Sequence, residues 1–222
     1  MSARVLRGWV VDFDGGKAKD WRKGALVTDK NGHISWVGSY SRMPKAYAGL
    51  TVDDYGDCLI LPGLIDPHIH CPQYRILAAP GKDLLDWLNR FTFPEEARYR
   101  SRSHAAKAAE LFLDRLVANG TTSTMAFCSV HKTCADALFS AADKRNMALV
   151  TGKTMMDRNA PTNVLDSAEI GGRDSKALIG KWHGRGRLRY AVTPRFAVTS
   201  TEAQLAVSGD LIKDHPDCLM QT

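Results

Sequence analysis

The chain has 222 residues and a mass of 24.4 kDa, room for one or two domains of roughly 100–200 residues each. Its 44% hydrophobic and 24% charged residues are the balance of a globular protein, which excludes a disordered tail or a collagen-like fibre. No run nears the ~18 apolar residues of a bilayer span, and the net charge of +6 is spread among acids, so neither membrane nor nucleic acid is the expected partner.

The first sixty residues read as short strands and turns. Val5 to Phe13 is strand-like and stops at Asp14-Gly15-Gly16. Arg7, Gly8 and Asp12 break up its apolar residues, so no export signal is read. Ala25–Thr28 and His33–Val37 flank Asp29-Lys30-Asn31-Gly32, where Asn-Gly signals a hairpin. Cys58–Leu61 is a short apolar run ending at Pro62-Gly63. After that the texture alternates. Leu64–His70 is a strand, and Ser103 caps a helix to Asn119 with Ala109, Phe112, Leu113, Leu116 and Val117 on one stripe. Gly120 is placed for a left-handed helix stop. Thr121–Phe127 (strand), Ala135–Asn146 (helix), Ala148–Met155 (strand), Ser175–Trp182 (helix) and Leu188–Val192 (strand) follow. Thr201 and Gln204 have capping-box spacing before a helix to Lys213, and Cys218–Gln221 begins one more strand.

Strands separated by helices imply right-handed crossovers and a parallel sheet. Five strands in the 160 residues after position 62 (222 − 62) are close to five-eighths of a (β/α)8 barrel of about 250 residues. The first strand–helix turn lacks the GxGxxG of a dinucleotide fold. The expected fold is therefore α/β. Residues 1–62 would form the N-terminal part of a small β-sandwich domain, and 63–222 a barrel that runs out after about its fifth strand. Five irregularly spaced cysteines (58, 71, 128, 134, 218) fit neither a CxxC zinc site nor a disulfide framework, so reduced thiols and a cytoplasmic location are expected.

The residues richest in chemistry are Pro62-Gly63-Leu64-Ile65-Asp66-Pro67-His68-Ile69-His70. Strand alternation puts His68 and His70 on one face. Two imidazoles at a strand end are placed to grip one divalent metal, with nitrogen at about 2.0–2.1 Å for zinc; iron accepts the same ligands. Asp66 shares that face one step deeper, as a candidate acceptor for a ring N–H. His131 follows the second barrel strand and falls at the face where barrel active sites sit. Trp87, Phe91 and Phe93 are candidates to roof a pocket or to pack in the core. Lys153 reads as structural, and His33, His104, His183 and His215, read as turn or helix-exterior residues, receive no function.

This run resembles the first barrel strand of the amidohydrolase superfamily. His70-Cys71-Pro72-Gln73-Tyr74, Leu85–Leu88 through Phe91-Thr92-Phe93-Pro94-Glu95, and Val192-Thr193-Pro194-Arg195-Phe196 resemble its guanine deaminase branch, over about Leu59 to Thr222. The resemblance implies hydrolysis of guanine to xanthine and ammonia with one zinc ion per subunit, held in part by His68 and His70. It implies a purine pocket containing His70, Gln73, Arg195 and Phe196, and a homodimer. On spacing alone, Arg195 equally fits a surface ion pair and Phe196 a core aromatic.

The resemblance also implies a third metal histidine and a catalytic glutamate in an HxxE run, a further histidine and an aspartate, all beyond Thr222. The expectation is thus an incomplete part of a longer product, inactive alone, with no catalytic acid–base residue of its own. With the edges of its first and fifth strands exposed, it is also expected to aggregate or stay molten. Competing readings are an amidohydrolase of another flat heterocycle (a pterin, triazine or other purine) and a non-catalytic nucleic-acid-binding domain.

Overall fold

A computed structural model describes residues 2–222, in two units, the first ending at Gly63 and the second spanning 64–222. In the first unit β1 (Arg4–Asp14), β2 (Lys17–Thr28), β3 (Ile34–Ser39) and β4 (Thr51–Ile60) form one mixed sheet in the order β3-β2-β1-β4. The Asp14-Gly15-Gly16 strand stop is a two-residue hairpin turn. Gly15 and Gly16 have φ of 59° and 77°, and Asp14 faces Lys17 across it; both turn positions need positive φ, which glycine adopts without strain. The Asn-Gly signal marks the β2–β3 turn, where the Asp29 carboxylate accepts from Asn31 N at 2.8 Å and His33 N at 2.9 Å.

Strand β4 begins seven residues before the apolar run at Cys58, because Thr51–Asp57 is polar. Cross-strand pairs hold that stretch to β1: Arg4 to Asp53 and Arg7 to Asp54, each at 3.0 Å. Val5, Ala25 and Val27 are the buried centre of this unit, with Trp36, Tyr40 and Met43 packed on them.

The second unit is a parallel sheet. Strands β5 (Leu64–His70), β6 (Thr121–Phe127), β7 (Ala148–Gly152), β9 (Leu188–Pro194) and β10 (Leu219–Met220) neighbour one another in chain order, and the short β8 (Thr154–Met155) pairs with β9. Every crossover adds its strand on the same side. With right-handed connections, all the helices then fall on one face, and there is no reversal point of the kind that defines a doubly wound sheet.

The helices obey this. Two short ones, α1 (Leu84–Trp87) and α2 (Phe93–Arg98), are joined by a π-helical turn and precede α3 (Arg102–Ala118), α4 (Lys132–Lys144), α5 (Ala168–Trp182) and α6 (Glu202–Asp214). From α3 onward each packs on the next, and Phe112, Leu113, Leu138, Phe139, Leu178 and Tyr190 fill the space between helices and sheet. No described helix is long and apolar enough to cross a membrane.

Several boundaries differ from the sequence expectation for local reasons. Ser101, extended at φ −76° and ψ 120°, is the cap of α3 in place of Ser103, and accepts from His104 N. Helix α5 starts at Ala168, capped by Ser167 Oγ at 3.1 Å from Ile170 N, well before Ser175. The adjacent Gly171 and Gly172 disguise this start, but a side chain on Gly172 would lie 2.6 Å from Val207 of α6. The single strand expected over Ala148–Met155 is interrupted at Lys153, whose buried ammonium pairs with Asp166. Thr201 caps α6 as its spacing indicates, accepting from Gln204 N at 3.2 Å.

Candidate active site

Strand β5 is irregular where its chemistry lies. Asp66 pairs with Thr124 and Ile69 with Ala126, so three steps on β5 face two on β6, a bulge at Pro67-His68. Proline has no N–H to give the ladder, which is why such a break is tolerated there. The freed His68 N–H is taken by the Asp66 carboxylate at 3.1 Å. Asp66 therefore braces the backbone of the bulge through Oδ1, a contact the strand pattern alone does not show.

The two imidazoles still converge. The rings of His68 and His70 have centroids 5.3 Å apart. Phe127, brought abreast of His70 by the β5–β6 register, stacks on His70 at 4.6 Å with planes 8° apart and touches His68 at 5.3 Å. Burial, then the charge of Arg195, then His68 push the His70 imidazole down to about 4, so it is neutral near pH 7, the state a metal ligand requires.

These rings form one wall of a cavity of about 290 Å³. Gln73, Leu84, Trp87, Leu88, Phe127, Arg195, Phe196 and Thr222 form the rest. Gln73 sits in the 3₁₀ turn that follows His70, Trp87 closes α1, and Arg195 and Phe196 leave the end of β9. One guanidinium nitrogen of Arg195, Nη1, donates to both carboxylate oxygens of Glu96, at 2.9 and 2.7 Å. Arg195 is 7% exposed and Glu96 only 1%. Burial pushes the Glu96 carboxyl up, against the pull of Arg195.

The structure thus brings together His68, His70, Gln73, Trp87, Arg195 and Phe196, all marked from sequence. It does not bring in His131, which lines a separate cavity of about 410 Å³ with Lys153, Asn163 and Asp166. The turn after β6 carries the chain into α4 there, and burial depresses that imidazole. Phe93 is core, against Leu88, Val130 and Met156, while Phe91 lies under Arg90. His104 is no helix-exterior residue either; its ring stands edge-on to Tyr99, with Nε2 3.3 Å from Glu95. His183 is held between Tyr190 N and Asp217.

Sequence reasoning missed Phe127 and Glu96. Pairing the expected strands 64–70 and 121–127 end to end would have found Phe127. Glu96, by contrast, carries no local signal, because its partner Arg195 lies 99 residues away.

His68 and His70 suit a divalent metal as two neutral nitrogen donors. Among the described residues neither ring makes a hydrogen bond, so no protein group competes for the donor atoms. The one described cluster of three candidate ligands, His183, Asp217 and Cys218, lies elsewhere.

A parallel sheet wound in one direction, with paired histidines ending its first strand, is the setting of this cavity, and the chain belongs to the amidohydrolase family, whose model matches residues 59–222. It is similar to the guanine deaminase of Escherichia coli (strain K12), with 43% identity over 201 residues covering 89% of this chain and 45% of the relative. Among solved structures it resembles guanine deaminase from Bradyrhizobium japonicum, with TM-score 0.94, 37% identity, and 99% and 50% of the two chains covered. It also resembles the C. acetobutylicum enzyme solved with guanine bound in its active site, with TM-score 0.87, 28% identity, and 97% and 51% covered. The chain spans about half the length of the relatives it matches.

Proposed function

We propose that the protein to which this chain contributes is a zinc-dependent guanine deaminase, adding water to guanine and releasing xanthine and ammonia. The observation that carries this is the convergence of six residues from four segments on one cavity of about 290 Å³. That volume is at the low end of ligand pockets, which run from roughly 300 Å³ upward, and suits a single fused-ring base.

His68 and His70 would hold the metal, which when bound would supply Lewis acidity near neutral pH. Arg195 offers fixed donors to the carbonyl oxygen and ring nitrogen acceptors of guanine. Gln73 donates and accepts along the base edge, and Phe196 and Trp87 give the flat ring apolar surface to pack on. Residues 1–62 are read as strands of a composite β-sandwich domain and 63–222 as the first part of the barrel. The resemblance adds a homodimer, which light scattering tests.

No aspartate or glutamate side chain lines the cavity among the described residues, and a proton must travel from attacking water to departing ammonia. The 222 residues alone are therefore expected to release no ammonia. The test is ammonia and xanthine formation from guanine by the 222-residue chain and by any longer product of its reading frame, with adenine, cytosine and triazines as comparators. Equal or faster turnover of a triazine or another purine would replace guanine as the substrate, and no turnover of any of them would end the reading.

A further inference from the structure

We propose that Glu96 is a positioning residue for substrate recognition, orienting Arg195 so that only one edge of the guanidinium meets the base; this rests on the guanine deaminase reading above. The two residues are 99 positions apart in sequence, one on α2 and the other past the end of β9. Nη1 of Arg195 is fully engaged, by both oxygens of Glu96 and, at 3.7 Å, by the sulfur of Met156. The Phe93 ring lies 5.7 Å from the guanidinium carbon. Nε and Nη2 make no hydrogen bond among the described residues, and Arg195 lines the cavity.

A guanidinium always carries its charge, and an unpaired one is costly to bury beside Leu88 and Phe127. Glu96 removes that penalty and, by occupying Nη1, leaves a fixed pair of donors for a carbonyl oxygen and a neighbouring ring nitrogen. The carboxylate itself is held by its helix. The adjacent Glu95 faces the other way, accepting from Arg98 at 2.7 Å and lying 3.4 Å from Arg75, a residue in the same 3₁₀ turn as Gln73. One short helix thereby braces both polar arms of the pocket.

The test is Glu96→Gln and Glu96→Asp in the shortest product of this reading frame that releases ammonia from guanine, read as KM, kcat and metal content. Glutamine keeps the shape and one acceptor but loses the charge. The expected result for E96Q is a KM for guanine raised on the order of ten- to a hundred-fold, with kcat within about threefold and metal content unchanged; E96D recovers part of the loss. A KM within twofold of wild type overturns the inference, as does a fall in kcat and metal content that parallels the KM change, the mark of a purely structural pair. Where E96Q does not fold, E96D decides on the same criterion, since it keeps the charge and withdraws it by one methylene. A wild type that leaves guanine untouched overturns the reading of function and this inference with it. Wild-type turnover with an unaltered E96Q overturns the inference alone.

Discussion

Gly152 ends β7 beside Phe127 of β6, and it allows the sheet to close up behind the histidines. A methyl group there would sit 1.8 Å from the carbonyl oxygen of Ala191 and 2.9 Å from Thr193 Oγ1, both on β9. Carbon and oxygen tolerate about 3.3 Å, so Gly152→Ala forces β7 and β9 apart by roughly 1.5 Å. Overpacking of this kind costs about 1–3 kcal/mol. A shift that large also breaks a buried ladder hydrogen bond near Thr151–Tyr190, worth about another 1–3 kcal/mol when its groups find no new partner. The sum, about 2–6 kcal/mol, corresponds to a Tm lower by roughly 4–24 °C at about 2–4 °C per kcal/mol for a chain of this size. Gly180→Ala is the control. It lies inside α5 with nothing within 4 Å of the added carbon, and should raise Tm by a few degrees through helix propensity of about 0.5–1 kcal/mol. The assay is thermal denaturation of a product of this reading frame carrying either change, with the expected shift scaled down in proportion to any length beyond 222 residues. A G152A melt within 2 °C of wild type would refute the steric reasoning.

Other outcomes follow from single contacts. His70→Asn removes one of the two imidazoles, and metal content by elemental analysis should fall more than about tenfold, with ammonia release falling alongside. Thr201→Ala removes the α6 cap bond to Gln204 N and should lower stability by about 1–2 kcal/mol in denaturant titrations, with Thr201→Ser restoring most of it. Arg145 holds the Glu110 carboxyl below its ordinary value of 4.5. The folded state thus binds that proton more weakly than the unfolded one, and the stabilisation is complete above about pH 4.5 and fades as pH falls through the lower folded value. Glu110→Gln should flatten stability against pH in that acid window alone. The 222-residue chain by itself should associate, because its sheet ends on β5 and β10 with Leu64, Ile65, Leu219 and Met220 exposed. A monomeric light-scattering mass at high concentration would count against this.

What was legible in the sequence followed the range of the signals. Strand and helix identities in the second unit come from local periodicity, so β5, β6, α3, β9 and α6 emerge within a few residues of their bounds. Where tertiary contacts set the boundary, the local pattern misleads. Helix α5 carries two glycines because Val207 of α6 leaves no room for a side chain at one of them. Strand β4 is polar because it pairs through Asp53 and Asp54 with arginines of β1. The stretch from Leu84 to Arg98 had no readable period, since a π-helical turn shifts the phase between its two short helices.

The site divides along the same line. His68 and His70 are two residues apart, and even a bulge at Pro67 leaves their rings 5.3 Å from each other; strand periodicity alone brings them close. The backbone role of Asp66 was hidden for the converse reason, because only the bulge exposes the His68 N–H that its carboxylate accepts. Arg195 shows the limit most clearly. Its position after β9 places it against the cavity, but the carboxylate that holds its Nη1 belongs to a glutamate 99 residues away. No window of sequence contains both members of that pair. A guanidinium acts through the direction of its donors as much as through their identity, so the contact that fixes one edge of Arg195 is one that only the folded chain assembles.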